Sequence, residues 1–155
     1  MNIKKVLISG LLTTIVSCVR FFTCSSKKIK CLDVDLFEKQ LIAARGEQLI
    51  DVCTPMEFGK CRISGAKNID YRSSVFRSEI GKLDKAKPIL IYCLSGVRSK
   101  LTAIICVKEG FESIYELDEG LRGWLEAGKP VESLLSGELR VESGEFRKLR
   151  IKDDC

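Results

Sequence analysis

Short apolar runs and amphipathic stretches take turns along the middle of this chain, and their order predicts alternating strands and helices. Lys28-Ile29-Lys30-Cys31 reads as a short edge strand. Asp33 is placed to cap a helix running to Ala44, with Leu36, Phe37, Gln40 and Leu41 on its inner side and Arg45-Gly46 ending it. Leu49-Ile50-Asp51-Val52-Cys53 reads as a short buried strand, followed by a brief helix with Thr54 as N-cap and Pro55 at its first position. A strand at 65–70 and a helical stretch at 75–80 come next. The most apolar strand is 88–92, with a helix at 97–109 behind it; 113–117 is a strand and 121–127 a helix closed by Gly128-Lys129-Pro130. Strands this short and this continuously apolar, each trailed by a helix, describe a parallel sheet with helices on both faces. In such sheets the reactive crevice lies beyond the carboxyl ends of the strands.

The two ends of the chain follow other patterns. Lys4 and Lys5 precede an apolar stretch at 6–16 that is too short to span a bilayer comfortably. Ile15-Val16-Ser17-Cys18 comes directly after it and resembles the bacterial lipobox, in which small residues precede a cysteine that takes lipid and becomes the new N-terminus. The expected organisation is a signal peptide at 1–17, a tether at 18–28, a domain at 29–131 and an extension at 132–155. The product is then an exported protein, periplasmic and held to a bacterial membrane by lipid on Cys18. In the extension, Leu139-Arg140-Val141-Glu142 and 146–151, divided by Ser143-Gly144, suit a small hairpin or a ragged helix; the stretch is read as solvated.

Composition narrows the chemistry. The 155 residues hold one proper core, and a net charge of +5 without a dense basic block argues against nucleic acid as a partner. The chain has no histidine. That removes Ser-His-Asp and Cys-His catalysis and every imidazole metal ligand. Its eight cysteines include no pair separated by two residues, so no zinc framework is expected and no metal or other cofactor is assigned. Cys106 falls in an apolar helical stretch and reads as core.

Cys93 is the residue whose position carries chemistry. The apolar strand delivers it to the sheet edge, and Leu94-Ser95-Gly96-Val97-Arg98-Ser99 then turns the chain into a helix. A sulfur there faces backbone N–H groups and the positive end of that helix, and both favour thiolate over thiol. Gly96 permits the tight curl. Arg98 supplies a fixed positive charge for an anionic substrate. Ser99 either bonds the sulfur or, as the favoured reading, caps the helix.

Four motifs in this order resemble the single-domain rhodaneses. They are 49–58 (Leu-Ile-Asp-Val-Cys-Thr-Pro-Met-Glu-Phe), 63–69 (Ile-Ser-Gly-Ala-Lys-Asn-Ile), the 93–99 loop, and an exit signature of Gly110-Phe111, Tyr115, Glu119-Gly120-Leu121-Arg122-Gly123-Trp124 and 127–131. The resemblance covers about 29–131 and implies a rhodanese-like α/β fold, a five-stranded parallel sheet wrapped by helices. It implies sulfur transfer from a small anionic donor such as thiosulfate, through a Cys93 persulfide, to cyanide, a thiol or a protein acceptor. Residues 94–99 would bind the donor and the outer sulfur. Two departures stand out: Cys53 replaces an arginine common in the family, often paired with the acid matching Glu57, and Cys61-Arg62 replaces a common Gly-His. Cys53 and Cys61 are accordingly candidates for a disulfide, with each other or with the Cys93 persulfide system, although two separate thiols are the simpler reading.

The same residues admit other functions. A protein-to-protein persulfide carrier would keep the same loop, whereas the intact loop residues argue against a binding module with an idle cysteine. A cysteine phosphatase or arsenate-reducing enzyme also uses a cysteine-to-arginine loop, but usually with one residue more than the four between Cys93 and Arg98, and no carboxylate in the loop offers a general acid.

Overall fold

The computed structural model describes residues 26–45, 48–135 and 138–142. Cys18, the tether and the signal segment up to residue 25 lie outside the described residues, as do 143–155. The elements in chain order are β1 (Ile29–Leu32), α1 (Val34–Ala43), β2 (Leu49–Asp51), α2 (Pro55–Lys60), β3 (Cys61–Arg62), β4 (Lys67–Asn68), α3 (Phe76–Gly81), β5 (Ile89–Tyr92), α4 (Val97–Lys108), β6 (Ile114–Leu117), α5 (Gly120–Glu126), β7 (Val131–Leu135) and β8 (Glu138–Glu142).

Five strands form one sheet in the order β1-β6-β5-β2-β4, every neighbouring pair parallel. The expected fold class is therefore the observed one. Side chains alternate across a strand, so β5 divides between two cores. Ile89 and Ile91 join Phe76 and Ile80 of α3 and Ala103 and Cys106 of α4; Leu90 and Tyr92 join Val34 and Phe37 of α1 and Leu121 and Trp124 of α5. Both faces are covered, which is why the central strand carries no polar position. Phe37 meets Trp124 edge to face at 6.3 Å. Full burial of a side chain such as Phe37 stabilises the fold by about 1.5–3 kcal/mol.

Asp33 caps α1, its Oδ1 accepting from the Leu36 amide at 2.9 Å. That cap sets the helix phase and corrects one expectation: Val34 and Phe37 point inward and Leu36 is exposed. Arg45, expected with Gly46 to end α1, has φ 51°; Gly46 lies outside the described residues. Strand β4 is only Lys67–Asn68; beyond it the Ile69 amide still donates to the Asp51 carbonyl at 2.9 Å, and Asn68 Nδ2 donates to the carbonyls of Asp51 (3.0 Å) and Cys53 (2.9 Å).

A second sheet, β3-β7-β8, is antiparallel. It was not foreseen. β7 pairs with β8, Leu135 opposite Glu138, and with β3, while the turn expected at Ser143-Gly144 lies outside the described residues. Arg62 Nε bonds Glu132 Oε2 at 3.0 Å across that pairing. Cys61 and Arg62 thus build a sheet edge.

Candidate active site

Strand β5 is fully buried and ends at Tyr92, so Cys93 emerges at the carboxyl edge of the sheet at its centre. The chain then turns at Gly96, which has φ 82° and forms the N-cap of α4. A side chain is excluded there, since a Cβ would run into the Asp118 carbonyl and the Lys100 ammonium. The start of α5 closes on the loop from the other side. Leu121 N donates to the Cys93 carbonyl at 2.8 Å and Arg122 N to that of Leu94 at 3.1 Å. Gly120 makes this approach achievable, because a Cβ on it would collide with the Cys93 carbonyl and the amides of Ser95 and Gly96. The carbonyls of Cys93 and Leu94 are thereby taken up by α5. The amides of Val97, Arg98 and Ser99 are first-turn donors, which an α-helix leaves without intrahelical partners.

The residues expected to form the site are brought together, with altered roles for two. Cys93, Gly96 and Ser99 are buried, Leu94 is half-buried, and Ser95 and Val97 are exposed at the rim. Ser99 is no cap: α4 has no side-chain cap bond. Its hydroxyl lies 3.5 Å from Cys93 Sγ and has two acceptors in reach, Glu116 Oε1 at 2.6 Å and the Gly96 carbonyl at 3.0 Å, the shorter contact being to Glu116. The Arg98 guanidinium, expected to face an anionic donor, is held by Glu57 through two bonds, Nη1 to Oε2 at 2.7 Å and Nη2 to Oε1 at 2.9 Å. Glu57 also takes the Thr54 amide (2.8 Å) and hydroxyl (2.9 Å) in a capping box for α2. The Arg98 bonds, with those from Thr54, hold its carboxyl down at about 2.

Three residues that sequence reasoning passed over lie beneath the loop. Lys100 is buried, with Nζ 2.7 Å from the Asp118 carbonyl, 2.9 Å from Asp118 Oδ1 and 3.5 Å from Glu116 Oε1. Glu116 is fully buried on β6, and burial raises its carboxyl above the usual range. A charged residue inside the apolar strand Ile114–Leu117 was the available signal. Lys100 gave a weaker one, as a charge at the helical position next to Ser99.

The other thiols are differently placed. Cys53 is buried 3.7 Å from Arg98 Nη2, and burial together with the Asp51 carboxylate pushes it far above the usual thiol range. Burial pushes Cys106 up to about 12. Cys53 packs in the core on the α4 face and Cys61 in the core on the α5 face. Neither is in a disulfide, nor is any other described cysteine, so the proposed 53–61 pairing is not present and the sheet separates the two thiols.

Residues 34–127 match the family model for the rhodanese-like domain. The chain is 30% identical over 88 residues to the thiosulfate sulfurtransferase GlpE of Shewanella oneidensis, spanning 57% of this chain and 85% of that protein. It is also 30% identical over 117 residues to a tRNA uridine(34) hydroxylase of Pelagibacter ubique, covering 75% of this chain and only 38% of that protein's length. Among solved structures, the rhodanese-like domain of an Anabaena protein superposes with a TM-score of 0.58 at 22% identity, over 74% of this chain and 87% of that one, a likeness of fold.

Proposed function

Because the chain belongs to the rhodanese-like domain family, we propose that it is a sulfurtransferase that carries a sulfane sulfur on Cys93. The observation behind this reading is the placement of that sulfur: it leaves the central strand under the N-terminus of α4, in a loop whose carbonyls at 93 and 94 are tied to α5. Negative charge on sulfur is favoured at such a point by the amides and the helix dipole.

The Cys93 thiolate attacks the outer sulfur of a donor such as thiosulfate. The donor's S–S bond breaks and sulfite departs with the bonding pair, leaving a Cys93 persulfide anion. The first-turn amides then hold the terminal sulfur, as an oxyanion hole holds developing charge. An acceptor such as cyanide or a thiolate attacks that outer sulfur, and the Cys93 thiolate is restored. Soft displacement at sulfur requires no imidazole, which suits a chain without histidine. Intact-mass spectrometry after thiosulfate treatment tests the reading. Wild type should gain one sulfur atom and lose it to cyanide. A Cys93→Ser protein that still acquires the labile sulfur would place the carrier on another thiol.

We also propose, from the lipobox-like Ile15-Val16-Ser17-Cys18, that the protein is exported and anchored to a bacterial membrane through lipid on Cys18. Among the described residues no helix is long and apolar enough to cross a membrane. Cys18→Ala should block maturation, leaving the signal segment uncleaved. A mature soluble wild-type protein that begins after Cys18 would overturn the anchor.

A further inference from the structure

The transfer chemistry above uses the rim of the loop and leaves unexplained the polar cluster beneath it. Ser99 Oγ stands between two titratable groups, 3.5 Å from Cys93 Sγ and 2.6 Å from Glu116 Oε1. All three residues are fully buried. Glu116 Oε2 has no hydrogen-bond partner, so the hydrogen bonds to this carboxylate fall on one oxygen. An ionised carboxylate is poorly supported in such a place. The chain contains no histidine that could relieve Cys93 of its proton.

We propose that Glu116, acting through Ser99, accepts the thiol proton of Cys93. The step balances without any outside reagent. The Cys93 S–H bond breaks and its electron pair stays on sulfur. Ser99 Oγ takes that proton and passes its own hydroxyl proton to Glu116 Oε1. The carboxylate becomes a carboxylic acid, Ser99 is unchanged, and Cys93 becomes a thiolate. Before the shift, the thiol donates to Ser99 and Ser99 donates to the carboxylate. After it, the carboxylic acid donates to Ser99 and Ser99 donates to the thiolate. Both arrangements satisfy every atom on the line, and they differ by one concerted movement of two protons.

The surroundings set the balance. From α4, Lys100 Nζ at 3.5 Å favours the ionised carboxylate. From the end of β6, Asp118 favours the neutral acid and engages Lys100 at 2.9 Å. From β1, Cys31 is the strand partner of Glu116, and from the end of β5 comes Cys93 itself. Burial is the largest influence on Glu116 and raises its carboxyl, favouring the neutral acid. Glu116 is thus a positioning residue that works through Ser99, and Cys93 remains the group that meets the donor.

This inference rests on Cys93 as the nucleophile of the proposed transfer, and two readouts on the same samples separate them. The first is the rate of iodoacetamide alkylation of the full chain, read by mass spectrometry at the Cys93 peptide over roughly pH 4–10. A pair sharing one proton titrates in two macroscopic steps. Wild type should therefore show a lower step, a plateau from the fraction holding thiolate and neutral acid, and an upper step. Glu116→Gln and Ser99→Ala should lose the lower step, and Ser99→Thr, which keeps the hydroxyl, should restore it. A single step in wild type overturns the proposal whatever the variants do, as does a lower step that survives Glu116→Gln. The second readout is sulfur loading. Labile sulfur on a thiol other than Cys93 would sink the transfer reading and leave the proton profile standing. Sulfur on Cys93 with a one-step profile would sink the relay alone.

Discussion

Arg98 and Lys100 stand two residues apart on α4 and each faces a glutamate, yet the two pairs are built in opposite ways. At the rim, Glu57 receives both Arg98 nitrogens, the Thr54 amide and the Thr54 hydroxyl. Its carboxyl is held down at about 2. On the floor, Glu116 receives one serine hydroxyl, with Lys100 at 3.5 Å and one oxygen left without a partner. Its carboxyl is raised. A neighbouring cation is common to both, but Arg98 gives Glu57 two direct hydrogen bonds, while Lys100 stands 3.5 Å from Glu116. The count of donors on the carboxylate, weighed against the water it has lost, sets the direction. The rim pair is consequently a fixed clamp on the loop, while the floor pair is one proton from neutrality.

The largest effect expected from breaking this contrast is on the floor. Lys100→Met leaves Asp118 and Glu116 without their buried cation, and breaking such a pair costs about 3–5 kcal/mol. Urea unfolding measures it; a loss below about 1 kcal/mol would mean that the floor is not held by charge. Next comes the rim. Arg98→Ala leaves Glu57 unopposed beside the loop, so transfer from thiosulfate should fall by roughly ten- to a hundredfold more than transfer from an uncharged persulfide donor. Glu57→Gln should shift that preference the other way by releasing the guanidinium. Equal changes with both donors would confine the pair to shaping the loop.

Acid should open the rim. The Glu57 carboxyl is lower in the folded state than its ordinary 4.5, so the folded protein binds fewer protons between there and about 2. Its contribution is complete above about 4.5 and is lost as pH falls through about 2. Unfolding free energy followed across that window should decline in wild type, and the part due to this residue should vanish in Glu57→Gln. The smallest effect is Thr54→Ala, which removes the α2 cap and one of the Glu57 donors and should cost about 1 kcal/mol. If it also moves the acid transition upward, the capping box and the rim clamp are one unit.

Much of the site was legible before any coordinates. An apolar strand ending at Tyr92, a glycine three residues after Cys93 and a helical pattern after it put Cys93 at the carboxyl edge of the sheet, where the structure has it, because strand and helix periods are local properties of the chain. The α1 interior was legible only in part: the cap at Asp33 put Val34 inward and Leu36 outward, a shift that the apolar count alone did not resolve. The antiparallel β3-β7-β8 sheet was missed because β3 is two residues long and its partner lies 70 positions away, as with Arg62 and Glu132. The Arg98–Glu57 clamp was missed for a similar reason, since its members are 41 residues apart and the resemblance tied Glu57 to position 53 instead.

By itself, then, the sequence determined the order of the elements that build the parallel sheet and the identity of the sulfur at its carboxyl edge. These follow from periodicity, turn residues and capping, which act over a few neighbouring positions. Only the tertiary structure decided what surrounds that sulfur. Whether Arg98 faces a donor or Glu57, and whether Ser99 caps a helix or links Cys93 to Glu116, depends on which distant side chains the packed sheet brings within about 3 Å, the range over which hydrogen bonds act.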